Sequence, residues 1–137
     1  MHTNVYLHFG GDCADALKFY EKVMGAKTGM VMPFSAAPPG GTPLPADWKN
    51  KIMHANVTVG DNLLQVTDAP PGMYAKPQGF RVTLNVDSTA DADRIFKALA
   101  EGGSVQMDIS ETFFAHRFGM VTDKFGIPWI VIHNKAM

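Results

Sequence analysis

The sequence is short of several things, and each shortage excludes something. One cysteine in 137 residues leaves no internal disulfide and fits a reducing, cytoplasmic compartment. Neither sign of charge is in excess: 12 Lys and Arg against 13 Asp and Glu give a net charge of −1. No Lys/Arg run occurs, so the electrostatic footprint expected for nucleic acid or an anionic membrane is missing. No apolar run is long enough to span a bilayer, and the opening MHTNVYLHF lacks the basic and apolar segments of a signal peptide. Neither nucleic acid nor a membrane is an expected partner; the pocket-like pattern described below makes a small molecule the expected one. An apolar content of 46% and a charged content of 18% suit a globular chain. Taken as one domain, residues 1–137 are long enough to bury roughly 70% of the unfolded surface.

What is present alternates between strand and helix patterns. Residues 4–9 (NVYLHF) are rich in β-formers and end at Gly10-Gly11. Cys13, Ala16, Leu17, Tyr20, Val23 and Met24 then recur at helical spacing, with Asp12 placed to cap the start and Gly25 the end. Residues 28–34 read as a second strand. Residues 35–50 hold four prolines and two glycines, which leaves a long loop read as a lid anchored by Trp48. Residues 52–59 put His54, Asn56 and Thr58 on one face and Met53, Ala55, Val57 and Val59 on the other. Residues 63–67 return as a hairpin with Gln65 and Thr67 on one side, and a second Pro/Gly loop covers 69–79.

Residues 80–86 alternate again, with Arg81, Thr83 and Asn85 opposite Phe80, Val82, Leu84 and Val86. Ser88 and Asp91 resemble a capping box for a helix carrying Ala92, Ile95, Phe96 and Leu99, supported by an Asp93–Lys97 pair and stopped at Gly102-Gly103. Residues 104–109 read as a strand. The last stretch, Glu111 to His133, reads as two strands around a turn at Asp123–Gly126. It concentrates charge among aromatics: Glu111, His116, Arg117 and Asp123 beside Phe113, Phe114, Phe118 and Trp129, as in the wall of a ligand pocket.

The two helical segments match one another. Ala14, Asp15, Ala16, Phe19 and Tyr20 fall on Ala90, Asp91, Ala92, Ile95 and Phe96 at one constant offset. Each is preceded by one strand and followed by three. The predicted fold is thus α+β: two strand–helix–three-strand modules, near residues 1–70 and 80–137, forming curved, mostly antiparallel sheets around a pocket. The pocket would be lined by polar strand faces carrying His54, Asn56, Gln65, Thr67, Thr83 and Asn85.

The segments YLHFGGDCADALKFYEKVMGA, WKNKIMHANVTVGDNLLQVTDAPPG and ETFFAHRFGMVTDKFGIPWIV together resemble the vicinal oxygen chelate superfamily, the glyoxalase, bleomycin-resistance and dioxygenase group, and within it the PhnB-like branch. That resemblance implies paired modules, often a homodimer, and in many members a divalent metal held by His, Glu or Gln. Landmarks in the helix and turn carry the four ligand places onto Val5, the neighbourhood of Gln65, Arg81 and Ile130. Two are apolar, one is a permanent cation and one a lone amide, so no metal or other cofactor is expected.

Three functions follow as expectations. One is an acid/base enzyme with Glu111 or His116 moving a proton and Arg81 or Arg117 holding an anion. Another is a non-catalytic protein sequestering an amphipathic compound against Trp48, Trp129 and the phenylalanines. The third is a metal enzyme with a rearranged site at His54, His116 and Glu111. Ligand binding is assigned to Trp48, His54, Asn56, Gln65, Arg81, Arg117 and Trp129. His8 is expected to pack towards the first helix, opposite Val5.

Overall fold

A computed structural model describes residues 1–41 and 43–136; Thr42 of the long loop and the terminal Met137 lie outside the described residues. The elements are β1 (Val5–Phe9), α1 (Cys13–Met24), β2 (Lys27–Pro33), β3 (Ile52–Val59), β4 (Asn62–Asp68), β5 (Val82–Asn85), α2 (Thr89–Ala100), β6 (Ser104–Ser110), β7 (Ala115–Thr122) and β8 (Pro128–Asn134). They form two repeated βαβββ units, Met1–Ala75 and Lys76–Met137. Each unit has its own open four-stranded sheet, ordered β1-β4-β3-β2 in one and β5-β8-β7-β6 in the other. Both sheets are mixed: β1–β4 and β5–β8 run parallel, and the remaining pairs antiparallel. Among the described residues no helix is long and apolar enough to cross a membrane.

In the first unit, α1 buries Cys13, Ala16, Leu17, Tyr20 and Val23 over Leu7, Phe9, Ala55, Val57, Leu64 and Val66, all below 8% exposure. The helix ends as the sequence predicts. Gly25 takes φ 68°, and the Ala26 and Gly25 amides reach back to the carbonyls of Tyr20 and Glu21, a left-handed stop that a Cβ would disfavour. Its start differs from expectation. Asp12 makes no side-chain cap hydrogen bond. Instead the buried Asp68, at the far end of β4, accepts from the amides of Gly11, Cys13 and Ile52 at 3.1, 2.9 and 2.9 Å. One carboxylate therefore ties the β1–α1 turn to β3 and β4.

The second unit is built alike, with Ala92, Ile95, Phe96 and Leu99 of α2 buried over Val121, Trp129 and Val131, each fully covered. Ser88 accepts from the Asp91 amide at 3.0 Å, as a helix cap should. Asp93 pairs with Arg117 at 3.0 Å on β7; the predicted Asp93–Lys97 pair gives way to this tertiary contact. Gly119 lets Phe96 lie flat on the sheet, since a Cβ there would come within 2.6 Å of the ring.

The faces of β1 correct the sequence reading. Leu7 and Phe9 are buried under α1 while Tyr6 and His8 are exposed. His8 thus points away from the helix, and Val5 shares the helix face. The cause is a difference in turn length. Gly10 and Gly11 separate Phe9 from Asp12, whereas Asp87 alone separates Val86 from Ser88. The units therefore correspond at a spacing of 76 in the helices (Ala16 with Ala92) but 77 in the strands (Leu7 with Leu84). A one-residue slip along a strand exchanges its faces, so Arg81 does not correspond to Val5.

Candidate functional site

In the second unit the sheet face turned away from α2 carries Arg81, Thr83 and Asn85 beside Ile130 and Ile132. Their register follows from Thr83 opposite Ile130 and Asn85 opposite Ile132, the intervening Leu84 and Val131 being buried. A cleft of about 630 Å³ opens at the end of this face, lined by Lys76, Gln78, Phe80, Arg81, Gln106, Thr122, Pro128 and Ile130 among others. Among the described residues two cations and no carboxylate line it. Arg81 is half-buried, and its Nη1 donates to the carbonyls of Val121 and Trp129 at 3.4 and 3.3 Å, at the long end for such bonds. Among the described residues no acid pairs with it. A guanidinium carries five N–H donors, so Arg81 keeps capacity for an incoming oxyanion. Gln106 and Thr122 hold one another at 3.0 Å and fix the polar wall, while Phe80 stands 52% exposed at the rim.

The other residues expected at a site are dispersed. Arg117 is committed to Asp93 on α2, and the His116 ring lies 4.9 Å from that of His133, whose Nδ1 is 3.4 Å from Thr89 at the start of α2. Both therefore belong to the helix side of the sheet. Glu111 is exposed and paired with Lys135 at 3.1 Å. The hydrogen bond from Lys135, and then its charge, hold the Glu111 carboxyl below its ordinary value, the opposite of what a proton donor near neutral pH requires. Neither Glu111 nor His116 lines the cleft.

Trp129 and Asp123 are core rather than pocket. Trp129 has no exposed surface and its indole N–H donates to Asp123 Oδ2 at 2.8 Å. Asp123 Oδ1 accepts from the amides of Phe125 and Ile127 at 2.9 and 3.0 Å, closing the turn that ends at Gly126. Trp48 is likewise 7% exposed, edge-on to Phe34 at 5.8 Å and against Gly11. It anchors the long loop from inside its own unit.

In the first unit the face away from α1 carries His54, Asn56 and Gln65, as the alternation predicts, with Asn56 opposite Gln65 and Gln65 opposite Tyr6. Asn56 Oδ1 is buried without a hydrogen-bond partner among the described residues. Tyr6 and His8 join this face, where the sequence reading had turned His8 towards the helix and gave Tyr6 no role; the signal that would have placed them is the extra residue at Gly10-Gly11. Among the described residues no three His, Cys, Asp or Glu side chains are grouped to hold a metal ion. His54 Nδ1 is engaged with Tyr6 Oη at 2.7 Å.

The comparisons agree with this architecture. Protein YjdN of Escherichia coli (strain K12) is 35% identical, over 96% of this chain and 94% of its own. The crystal structure of PA1353 from Pseudomonas aeruginosa is 43% identical and superposes with a TM-score of 0.82 over 99% of each chain. The PhnB protein from Bacillus cereus, 18% identical, shares the fold with a TM-score of 0.77 over 97% of this chain and 99% of its own. The model of the glyoxalase/bleomycin resistance protein/dioxygenase superfamily matches residues 2–131, and the chain belongs to that superfamily.

Proposed function

We propose that the chain binds a small amphipathic anion, with Arg81 as the anchor for a carboxylate or phosphate-like group and Phe80, Pro128 and Ile130 against its apolar part. The observation that carries this reading is the cleft: Arg81 and Lys76 line it, and among the described residues no acid stands there to neutralise them. Charge-assisted hydrogen bonds from a guanidinium fork are the strong ones in such sites, and Lys cannot replace their geometry. Glu111 and His116 stay outside this reading, because one is held as a carboxylate by Lys135 and the other lies on the helix side. Binding without chemistry is thus favoured over proton transfer by that pair.

Titration with phenyl phosphate and benzoate, followed by calorimetry, tests it. Arg81→Met should weaken phenyl phosphate by roughly 10- to 100-fold, the range for losing a hydrogen bond to a charged group. Arg81→Lys should recover only part, and benzyl alcohol should bind far more weakly than benzoate. Equal affinity in wild type and Arg81→Met would remove the anchor and with it the proposal.

A further inference from the structure

The face of the first unit that α1 leaves uncovered holds a cluster of its own. Tyr6 on β1 reaches across β4 to His54 on β3, with Oη and Nδ1 2.7 Å apart. The His8 ring is tilted against Tyr6 at 5.2 Å, and the His54 ring stands edge-on to it at 5.6 Å. Gln65 lies between Tyr6 and β3 in register, and Met32 is opposite His54 on β2. Three rings, an amide and a thioether thus share one patch, on which Tyr6 remains 42% exposed.

A tyrosine–histidine hydrogen bond at an exposed position contributes little to stability, because water competes for both groups. Its effect is on presentation. If the phenol donates to Nδ1, the imidazole offers Nε2–H as a donor and the phenol oxygen remains an acceptor; in the other tautomer the roles reverse. Either way the pair offers one donor and one acceptor to an incoming group. Partial burial holds the Tyr6 phenol above its ordinary value, so the hydroxyl keeps its proton at neutral pH. A ligand group that is itself both donor and acceptor, attached to a ring that can pack against Tyr6, His8 and Met32, fits both requirements.

We propose that this face is a binding site for a hydroxylated aromatic molecule, its hydroxyl held by Tyr6 and His54. The hydroxyl would exchange one hydrogen bond with each partner, and no covalent step is involved.

The probe is p-nitrophenol, added below its own pKa so that it is neutral, with nitrobenzene as the ring without the hydroxyl. Binding is read from the absorbance of the probe and from the imidazole nitrogen shifts of His54. Wild type should bind p-nitrophenol saturably, with His54 shifts moving, and nitrobenzene at least several-fold more weakly. Tyr6→Phe, which keeps the ring, should weaken the probe by roughly 3- to 10-fold, the range for one neutral hydrogen bond. His54→Leu should do the same, and His54→Asn, which retains an acceptor near Nδ1, should recover part of the loss. The p-nitrophenol probe is uncharged and the anion site is tested with phenyl phosphate and benzoate, so failure here and failure of the anion site are separately visible. Equal affinity for the two probes, an unchanged Tyr6→Phe protein or unmoved His54 resonances would each overturn the proposal.

Discussion

Replacing Asp123 by Asn should unfold the second unit at markedly lower denaturant, although the change removes one charge and almost no volume. The carboxylate is 3% exposed and accepts from the amides of Phe125 and Ile127 and from the Trp129 indole. All three are donors, and a carboxylate is acceptor only. Asn offers one oxygen and one NH₂ group. Whichever way it turns, the indole N–H or the two amides meet another donor. Losing a hydrogen bond to a charged acceptor costs about 1.5–3 kcal/mol, and stranding a buried donor costs a similar amount. The two overlap, so the expected loss is about 2–4 kcal/mol, a large share of the roughly 5–15 kcal/mol available to a domain.

Urea unfolding followed by circular dichroism and tryptophan fluorescence, extrapolated linearly to water, measures it. The pairwise part is isolated by a double-mutant cycle with Trp129→Phe, for which a coupling of about 1–2 kcal/mol is expected. An Asn variant within about 0.5 kcal/mol of wild type, or a coupling near zero, would show that Asp123 does not hold the turn as its geometry indicates.

Two further outcomes are expected. Gly119→Ala would drive a Cβ to 2.6 Å from Phe96 Cε2 and 3.1 Å from the Ile109 backbone; thermal unfolding should show a loss of about 1–3 kcal/mol, and part of it should return when Phe96 is shortened to Leu. At Glu111 the folded pKa lies below the unfolded one, so the ion pair's contribution is present above the ordinary carboxylate value and fades as pH falls through the folded value. Lys135→Met should raise the Glu111 pKa in an NMR titration while barely changing stability, since the carboxylate is exposed; an unmoved titration would contradict the pairing.

The repeat, both helices, all eight strands and the Asp123–Gly126 turn were legible because they rest on local spacing, on Gly25 and Ser88 as helix ends, and on strict alternation in β3 and β4. Arg81 was legible as well, as a cation on a polar strand face. What could not be read was long-range commitment. Nothing near Asp68 in sequence announces that it caps a helix 55 residues earlier, and nothing near Arg117 announces Asp93, 24 residues away. The aromatics misled for a related reason. Trp129 alternates like a pocket residue, but its indole N–H finds a buried carboxylate six residues upstream, and burial there is more favourable than exposure to a cleft.

The additional glycine in the β1–α1 turn has a practical corollary for engineering. A designer wishing to copy the Arg81 anchor into the opposite half would, counting from the helices, write arginine at Val5, an exposed position on the sheet face opposite Tyr6 and His8. Counting from the strands lands on Asn4, clear of the hydrophobic layer. Deleting one of the two glycines would force a choice on the chain: wind α1 back by a residue, or turn Tyr6 and His8 inward and lose their display altogether.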